Sequence, residues 1–143
     1  MKLALPSPAA THALAVRVAD LARPGDAILL EGPLGAGKSE FARAFLRRIS
    51  ATPALEVPSP TFTLVQSYDS PRGPIHHFDL WRLDGPAALE ELGWDEMRAD
   101  IVLVEWPDRL GHLAPPDSLT LALAHAGPEC RTATIAGWED RLA

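Results

Sequence analysis

The sequence contains one cysteine, two lysines, no asparagine and no long hydrophobic run. The single cysteine, Cys130, excludes an intramolecular disulfide and a cysteine-based metal cluster. No segment approaches the roughly 18 consecutive apolar residues of a transmembrane helix. Pro6 and Pro8 interrupt the apolar N-terminal stretch before it reaches the length of a signal-peptide core. We therefore expect a cytoplasmic protein that makes no membrane contact.

The charge balance limits the partners that the chain can bind. Its 13 basic and 19 acidic residues give a net charge of −6, which argues against a broad nucleic-acid groove because phosphate contacts need clustered basic residues. Arg43, Arg47 and Arg48 form a local basic cluster that could touch RNA or an acidic partner, but the favoured interpretation is a solvated helix face. With 143 residues, 47% of them hydrophobic, the chain is expected to form one domain over residues 1–143.

One of the two lysines, Lys38, lies near the end of a glycine-rich segment. Residues 32–39 read Gly-Pro-Leu-Gly-Ala-Gly-Lys-Ser and match the phosphate-binding pattern G-x-x-x-x-G-K-S/T. In that pattern the glycines let successive backbone N–H groups face the phosphates, the lysine reaches the terminal phosphates, and the hydroxyl of Ser39 binds Mg²⁺. The segment therefore predicts a nucleoside triphosphate site.

The residues on either side of this segment have the periodicity that such a loop requires. Residues 27–30 form an apolar run of strand length, and residues 39–49 carry apolar side chains at helical spacing from Phe41 to Ile49. A strand, a glycine loop and a helix in this order also direct the positive end of the helix dipole towards the phosphates. The alternative is a glycine-rich turn that matches by chance, with a probability on the order of one per cent at average glycine usage.

The remaining pattern predicts an α/β fold. Helices are expected over residues 7–21, 39–49, 86–92 and 94–97, and strands over residues 27–30, 61–68, 75–80, 101–105, 119–124 and 131–135. Three prolines make residues 52–60 an exposed connection near the site. We predict a single P-loop NTPase-like domain, with a mixed β-sheet flanked by helices and a C-terminal β-hairpin.

Two acids are candidates to hold the metal and to order water near the γ-phosphate. Glu105 follows a hydrophobic run at the carboxyl end of a predicted strand, where α/β sheets bind ligands, although an ordinary strand-end carboxylate is the alternative. Asp79 lies in the segment His-His-Phe-Asp-Leu-Trp-Arg, and an ion pair with Arg82 or a helix cap explains it equally well. His76 and His77 point to opposite faces of a strand, so they are not a metal pair, and one is expected to be exposed and the other packed.

A turn rich in hydroxyl groups follows the proline-rich connection. Residues 59–63 read Ser-Pro-Thr-Phe-Thr, and a flexible loop of this kind can close on γ-phosphate and Mg²⁺ as a switch. From the residues alone, an ordinary turn that enters a strand is the favoured interpretation.

Four segments of the chain follow one another in a distinctive order. They are the glycine-rich residues 32–39, Ser-Pro-Thr-Phe-Thr-Leu-Val at 59–65, His-Phe-Asp-Leu-Trp-Arg-Leu at 77–83 and Glu-Trp-Pro at 105–107. Together they resemble the TsaE family of small bacterial ATPases, which are required for threonylcarbamoyl-adenosine modification of tRNA. The resemblance covers nearly the whole chain and is more specific than a phosphate loop alone.

The resemblance implies an ATPase that uses ATP and Mg²⁺ and serves a complex of two partner proteins, TsaB and TsaD. The transfer of the threonylcarbamoyl group would belong to that complex, so tRNA would be met only indirectly. The implied nucleotide-binding residues are Thr11, Leu34, Gly35, Ala36, Gly37, Lys38, Ser39, Thr61 (as the switch hydroxyl), Asp79 and Arg131. Ser39 and Glu105 would hold Mg²⁺. The residues implied in catalysis are Lys38, Asp79 and Glu105.

Three other functions are compatible with a phosphate loop. A regulatory GTPase needs an Asn-Lys-x-Asp motif to read guanine, and the absence of asparagine argues against it. A small-molecule kinase needs an arginine-rich lid over the transferring phosphate, whereas the arginines at 72, 82, 98 and 109 are scattered, which weakens this alternative without excluding it. A scaffold that binds ATP without hydrolysis is the non-enzyme alternative, and kinetics separate it from an ATPase.

Overall fold

The computed structural model describes residues 1–60 and 62–142. Within these residues, seven strands form one mixed sheet: β1 (Lys2–Leu5), β2 (Ala27–Glu31), β3 (Val65–Tyr68), β4 (Ile75–Asp79), β5 (Ile101–Glu105), β6 (Leu119–Gly127) and β7 (Cys130–Ala136). The helices are α1 (Pro8–Leu21), α2 (Lys38–Ile49), α3 (Pro86–Glu91), α4 (Trp94–Met97) and α5 (Glu139–Leu142), with a 3-10 helix over Pro107–Leu113. The predicted α/β class, the mixed sheet flanked by helices and the hairpin of β6 and β7 are confirmed.

The sheet has a parallel centre and antiparallel edges. In the order β1-β7-β6-β2-β5-β4-β3, the four strands from β6 to β4 run parallel, and the outer strands pair antiparallel with their neighbours. β2 and β5 are buried apolar runs because a parallel strand inside a sheet is covered on both faces. Leu30 in β2 pairs with Glu105 in β5, so the loop that follows β2 begins beside the acid that ends β5.

Alternating side chains give the sheet two apolar faces. One face presents Leu30 and Leu103 to the core that it shares with α1 and α2. The other presents Leu29 and Val104 to a second core that contains Trp94 of α4. The helices therefore cover both faces, and α2 lies over the first of them.

The two long helices begin differently. At the start of α1 the Oγ of Ser7 accepts a hydrogen bond from the N–H of Ala10, and Pro8 occupies the first helical position. α2 begins after Gly37, which has a positive φ and no side-chain cap, so the first N–H groups of this helix face the preceding loop. Among the described residues, every helix is too short or too polar to cross a membrane.

In the segment predicted as a strand over residues 61–68, the described residues 62–64 are not part of a strand, and β3 begins at Val65. Leu64 has a positive φ of 69°, and its N–H donates to the carbonyl oxygen of Pro60, so the chain turns before Val65 instead of extending. Thr61 lies outside the described residues. The described residues 62–64 thus form a turn that leads into a short edge strand.

β1, the 3-10 helix and α5 are not predicted by the local pattern. β1 is a strand because it pairs with β7 along its whole length, from Lys2 opposite Thr134 to Leu5 opposite Arg131. Four residues carry too little periodicity to reveal a pairing between distant parts of the chain.

Candidate active site

The connection between β2 and α2 turns through two left-handed glycines. Gly35 has a φ of 79° and Gly37 a φ of 104°, a region that residues with side chains rarely adopt. The N–H of Ala36 donates to the preceding turn, whereas in the described part of the chain no backbone carbonyl accepts from the N–H of Lys38 or Ser39. Free donors at the start of a helix are suited to binding anions.

Gly32 fixes the beginning of this loop against the sheet. Its φ is 142°, and a Cβ atom at this position would lie 2.4 Å from the carbonyl oxygen of Leu123 in β6. Because that oxygen belongs to the backbone of a paired strand, it cannot move aside easily. A side chain at position 32 would therefore displace the loop.

Lys38 is buried at the first position of α2. Its Nζ donates to the carbonyl oxygen of Gly32 at 2.7 Å and lies 3.5 Å from the ring centroid of Trp106. Burial lowers the pKa of Lys38 below the ordinary lysine value, and the carboxylates of Glu105 and then Asp79 oppose that shift. The structure thus brings both candidate acids within electrostatic reach of the lysine.

His77, Asp79 and Glu105 share one face of the sheet. β4 and β5 are parallel neighbours, with Asp79 opposite Glu105 and His77 opposite Leu103. Since side chains alternate along a strand, these three polar residues lie on the same face of the sheet as Leu103, the face that α2 covers. The carboxyl ends of β4 and β5 therefore place two acids beside the helix that begins with Lys38.

Both adjacent histidines are buried, with different partners. The Nε2 of His77 lies 2.7 Å from Oε2 of Glu105, whereas His76 contacts Asp100 through Nε2 and Ser67 through Nδ1, each at 2.8 Å. The prediction that one histidine is exposed is wrong, since His76 is 8% and His77 2% exposed. The reason is that β4 lies inside the sheet and is covered on both faces.

Ser39 and Glu105 line a common cavity. It has a volume of about 130 Å³ and is also lined by His77 and Ser59. A hydroxyl and a carboxylate are hard oxygen donors of the kind that Mg²⁺ prefers, and Mg²⁺ in nucleotide sites takes further ligands from phosphates and water. The described residues contain no group of three or more His, Cys, Asp or Glu side chains that could hold a metal ion. The donors present therefore fit Mg²⁺ that arrives with a phosphate better than a metal held by protein ligands alone.

Asp79 is buried at the end of β4. Its Oδ1 accepts a hydrogen bond from the backbone N–H of Trp81 at 3.1 Å, so the turn after the strand orients the carboxylate. The sequence offered Arg82 as an ion-pair partner for Asp79. The guanidinium of Arg82 lies 4.6 Å from the ring centroid of Phe62.

The other residues implied in nucleotide binding differ in their relation to the loop. Arg131 in β7 donates from Nη2 to the carbonyl oxygen of Gly35 at 3.3 Å, which brings the terminal hairpin to the loop. Leu34 is exposed. Thr11 is buried in α1, and no hydrogen bond within the described ranges joins its side chain to the loop. Thr61 is not among the residues that the structure describes.

His77 and Trp106 belong to the site although the sequence pattern did not assign them to it. Trp106 directly follows Glu105 and has a positive φ of 59°. The centroid of its ring lies 4.4 Å from that of Trp81. A positive φ is uncommon for a bulky residue, and such strain clusters at functional sites. The sequence signals were a histidine inside a buried strand and a tryptophan directly after a candidate acid.

Comparison with known proteins gives consistent matches. The family model "Threonylcarbamoyl adenosine biosynthesis protein TsaE" matches residues 5–133. A relative from Bacillus subtilis, named tRNA threonylcarbamoyladenosine biosynthesis protein TsaE, is 34% identical over 131 residues, which are 90% of this chain and 80% of the relative. A relative of the same name from Nostoc is 32% identical over 139 residues, 94% of this chain and 84% of the relative. The match to the relative of that name from Rickettsia felis is 36% identical and spans 66% of that protein's length, slightly under two thirds.

A solved structure has the same architecture. The crystal structure of Bacillus subtilis YdiB matches with a TM-score of 0.76 and 30% sequence identity, over 99% of this chain and 87% of that chain. The family match includes the glycine loop, β4 with His77 and Asp79, and β5 with Glu105. On these grounds, the chain belongs to the TsaE family of threonylcarbamoyl adenosine biosynthesis proteins.

Proposed function

We propose that this chain is a P-loop ATPase that binds ATP with Mg²⁺ and hydrolyses it in support of tRNA threonylcarbamoyladenosine biosynthesis. The observation that carries the proposal is the position of Lys38, which follows the loop glycines at the start of α2 and lies within electrostatic reach of Glu105 and Asp79. An ammonium beside two carboxylates at the carboxyl ends of parallel strands suits phosphoryl chemistry, which depends on positioning and electrostatic stabilisation.

The loop would hold the phosphates through its backbone. The N–H groups of Lys38 and Ser39 are directed from the helix start, where the helix dipole favours negative charge. The ammonium of Lys38 would move from the carbonyl oxygen of Gly32 towards the phosphate oxygens. Arg131, which already contacts the carbonyl oxygen of Gly35, would add a second positive charge beside the loop.

Two side chains fit a metal ion and a third fits the attacking water. Ser39 and Glu105 would hold Mg²⁺, which when bound neutralises charge on the phosphates. Asp79 is oriented by the N–H of Trp81 and lies opposite Glu105 in the sheet. It would position water beside the γ-phosphate. The carboxylate of Asp79 would accept a hydrogen bond from that water, and its orientation by the backbone reduces the reorganisation that the step requires.

The family provides the setting for this activity. Relatives of this chain carry the name tRNA threonylcarbamoyladenosine biosynthesis protein, and we propose that it acts in that pathway in the cytoplasm, with TsaB- and TsaD-type partners. tRNA would be contacted through the partner complex, because a net charge of −6 is poorly suited to broad nucleic-acid contact.

Calorimetric titration with a non-hydrolysable ATP analogue and Mg²⁺ tests the nucleotide site. The wild-type chain is expected to bind, and Lys38→Ala to lose roughly 10- to 100-fold in affinity, the worth of a hydrogen bond to a charged group. Lys2→Ala is the matched control because it removes the only other lysine, which is exposed in β1. Equal affinity of the wild type and Lys38→Ala would contradict the proposal.

A further inference from the structure

We propose that His77 is a positioning residue for Glu105. Its Nε2–H holds one carboxylate oxygen, so that the carboxylate stays directed into the cavity that Ser39 also lines. This inference rests on the proposed Mg²⁺·nucleotide site and adds to it a residue that would touch neither the metal nor the phosphates.

The contact between His77 and Glu105 is short and shielded from solvent. The Nε2 to Oε2 distance is 2.7 Å, and the two side chains are 2% and 7% exposed. A hydrogen bond to a carboxylate is stronger than one between neutral groups, and low local polarity strengthens it further. Because a glutamate side chain otherwise chooses among several rotamers, this bond selects one orientation of Glu105.

The tautomer of His77 follows from the chemistry of its partner. A carboxylate that binds Mg²⁺ only accepts hydrogen bonds from its other neighbours, so in the proposed site Nε2 carries the proton. Nδ1 of His77 is buried and has no hydrogen-bond partner among the residues that the structure describes. The bond to Glu105 is therefore the polar contact that fixes the orientation of the ring.

The adjacent histidine, His76, makes its hydrogen bonds away from the cavity. His76 engages Ser67 and Asp100 with its two ring nitrogens, on the other side of β4. It lines no part of the cavity shared by Ser39 and Glu105. Two neighbouring buried histidines thus differ in that only His77 has its hydrogen bond directed to a proposed metal ligand.

Side chains that hold a metal-binding carboxylate in place affect metal affinity without touching the metal. Loss of such a partner typically lowers metal affinity roughly 10- to 100-fold. His77 would act on the Mg²⁺-dependent part of nucleotide binding, because the carboxylate that it holds lines the cavity with Ser39 and would act through the metal.

The test compares His77→Leu with His77→Gln. The Nε2 of glutamine is three bonds from Cβ, as the Nε2 of histidine is, so glutamine restores the donor and leucine does not. The measurements are Mn²⁺ binding by electron paramagnetic resonance in the presence of ADP, and ADP binding in EDTA. We expect His77→Leu to weaken Mn²⁺ binding roughly 10- to 100-fold with little change in metal-free ADP binding, and His77→Gln to stay within a few-fold of wild type. His76→Gln, the matched control, is expected to leave Mn²⁺ binding unchanged.

The outcomes separate this inference from the proposed function. Wild-type Mn²⁺ affinity in His77→Leu, or an equal loss of Mn²⁺ binding and metal-free ADP binding, would overturn the role of His77 while leaving the nucleotide site intact. If Glu105→Ala binds Mn²⁺·ADP as the wild type does, the metal site itself is wrong, and the role of His77 falls with it.

A measurement on the wild-type chain does not depend on the folding of any variant. Long-range ¹H–¹⁵N correlation spectra of the ¹⁵N-histidine-labelled protein report which ring nitrogen carries the proton. We expect His77 as the Nε2–H tautomer, with a shift of its ring signals when Mg²⁺ is added to the ADP complex. The Nδ1–H tautomer would overturn the inference, because its Nε2 cannot donate to Glu105.

Discussion

The Nζ of Lys38 lies 3.5 Å from the ring centroid of Trp106. A cation over the face of tryptophan is stabilised by the ring, and the hydrogen bond from Nζ to the carbonyl oxygen of Gly32 adds a second favourable contact. Trp106 directly follows Glu105 at the end of β5, so the lysine joins the loop after β2 to the strand that carries the candidate acid. A bound phosphate would compete with the Gly32 carbonyl for the ammonium.

Lys38 should lose its proton at a lower pH than an ordinary lysine. Burial is the main cause of its lowered pKa, and the carboxylates of Glu105 and Asp79 offset only part of it. The ¹³Cε chemical shift of the lysine-labelled protein, followed against pH, measures the midpoint, and Lys38→Arg assigns the signal against that of Lys2. A midpoint at or above the ordinary lysine value would contradict the burial argument.

The lowered pKa of Lys38 has opposite effects on stability and on phosphate binding as the pH rises. Because the folded-state pKa of Lys38 lies below the unfolded-state value, the unfolded chain binds more protons between the two, and the stability contributed by this group rises with pH across that window. ADP binding weakens over the same window because the ammonium is lost. Urea unfolding and ADP titration check the two signs, with Lys38→Arg as the variant that keeps its charge. ADP affinity that falls equally in Lys38→Arg would assign the effect to another group.

Gly32→Ala should destabilise the fold and distort the loop. The new Cβ would lie 2.4 Å from the backbone oxygen of Leu123, at a φ that alanine rarely adopts, and we expect a loss of more than about 1 kcal/mol in the free energy of unfolding. Gly85→Ala is the matched control because a Cβ there meets no atom within 4 Å. Urea denaturation of both variants measures the difference, and equal stabilities would show that the approach to β6 carries no constraint.

Asp79→Asn should separate binding from turnover. The amide keeps the size of the side chain and an oxygen that can accept from the N–H of Trp81, so nucleotide binding is expected to stay close to wild type. Loss of the carboxylate should lower phosphate release by roughly 100-fold or more, the usual range for a group that takes or positions a proton. Phosphate release at the wild-type rate would remove Asp79 from the catalytic residues.

Glu105→Ala should weaken Mg²⁺-dependent nucleotide binding more than metal-free binding. The carboxylate lines the cavity with Ser39 and would act through the metal, whereas the backbone donors of the loop do not depend on it. Calorimetric titration of ADP with Mg²⁺ and with EDTA gives both affinities. A loss of equal size in the two conditions would make the role of Glu105 structural.

The parts of the fold that were predictable have local signals. β5 runs over Ile101–Glu105 as predicted, and α2 begins one residue before its predicted start, because a buried apolar run and a helical repeat are visible in a short window. β1 was not predictable in this way, since it is a strand through its pairing with β7 near the other end of the chain.

The same distinction between local signals and long-range pairing applies to the candidate site. Lys38 and Ser39 are part of a contiguous motif, so their proximity follows from the sequence itself. The contact of His77 with Glu105 joins residues 28 positions apart, and that of Arg131 with Gly35 joins residues 96 apart, so both depend on strand order and register. The left-handed backbone of Trp106 has no sequence signal, because tryptophan rarely adopts it.

The most direct test of the account is phosphate release from ATP by the purified chain with Mg²⁺, alone and with the TsaB–TsaD pair, beside Lys38→Ala under the same conditions. We predict release by the wild type that increases when the partner pair is added, and none above background for Lys38→Ala. Equal release by the wild type and Lys38→Ala, or phosphate transferred to a small-molecule acceptor without stimulation by the partners, would contradict the account.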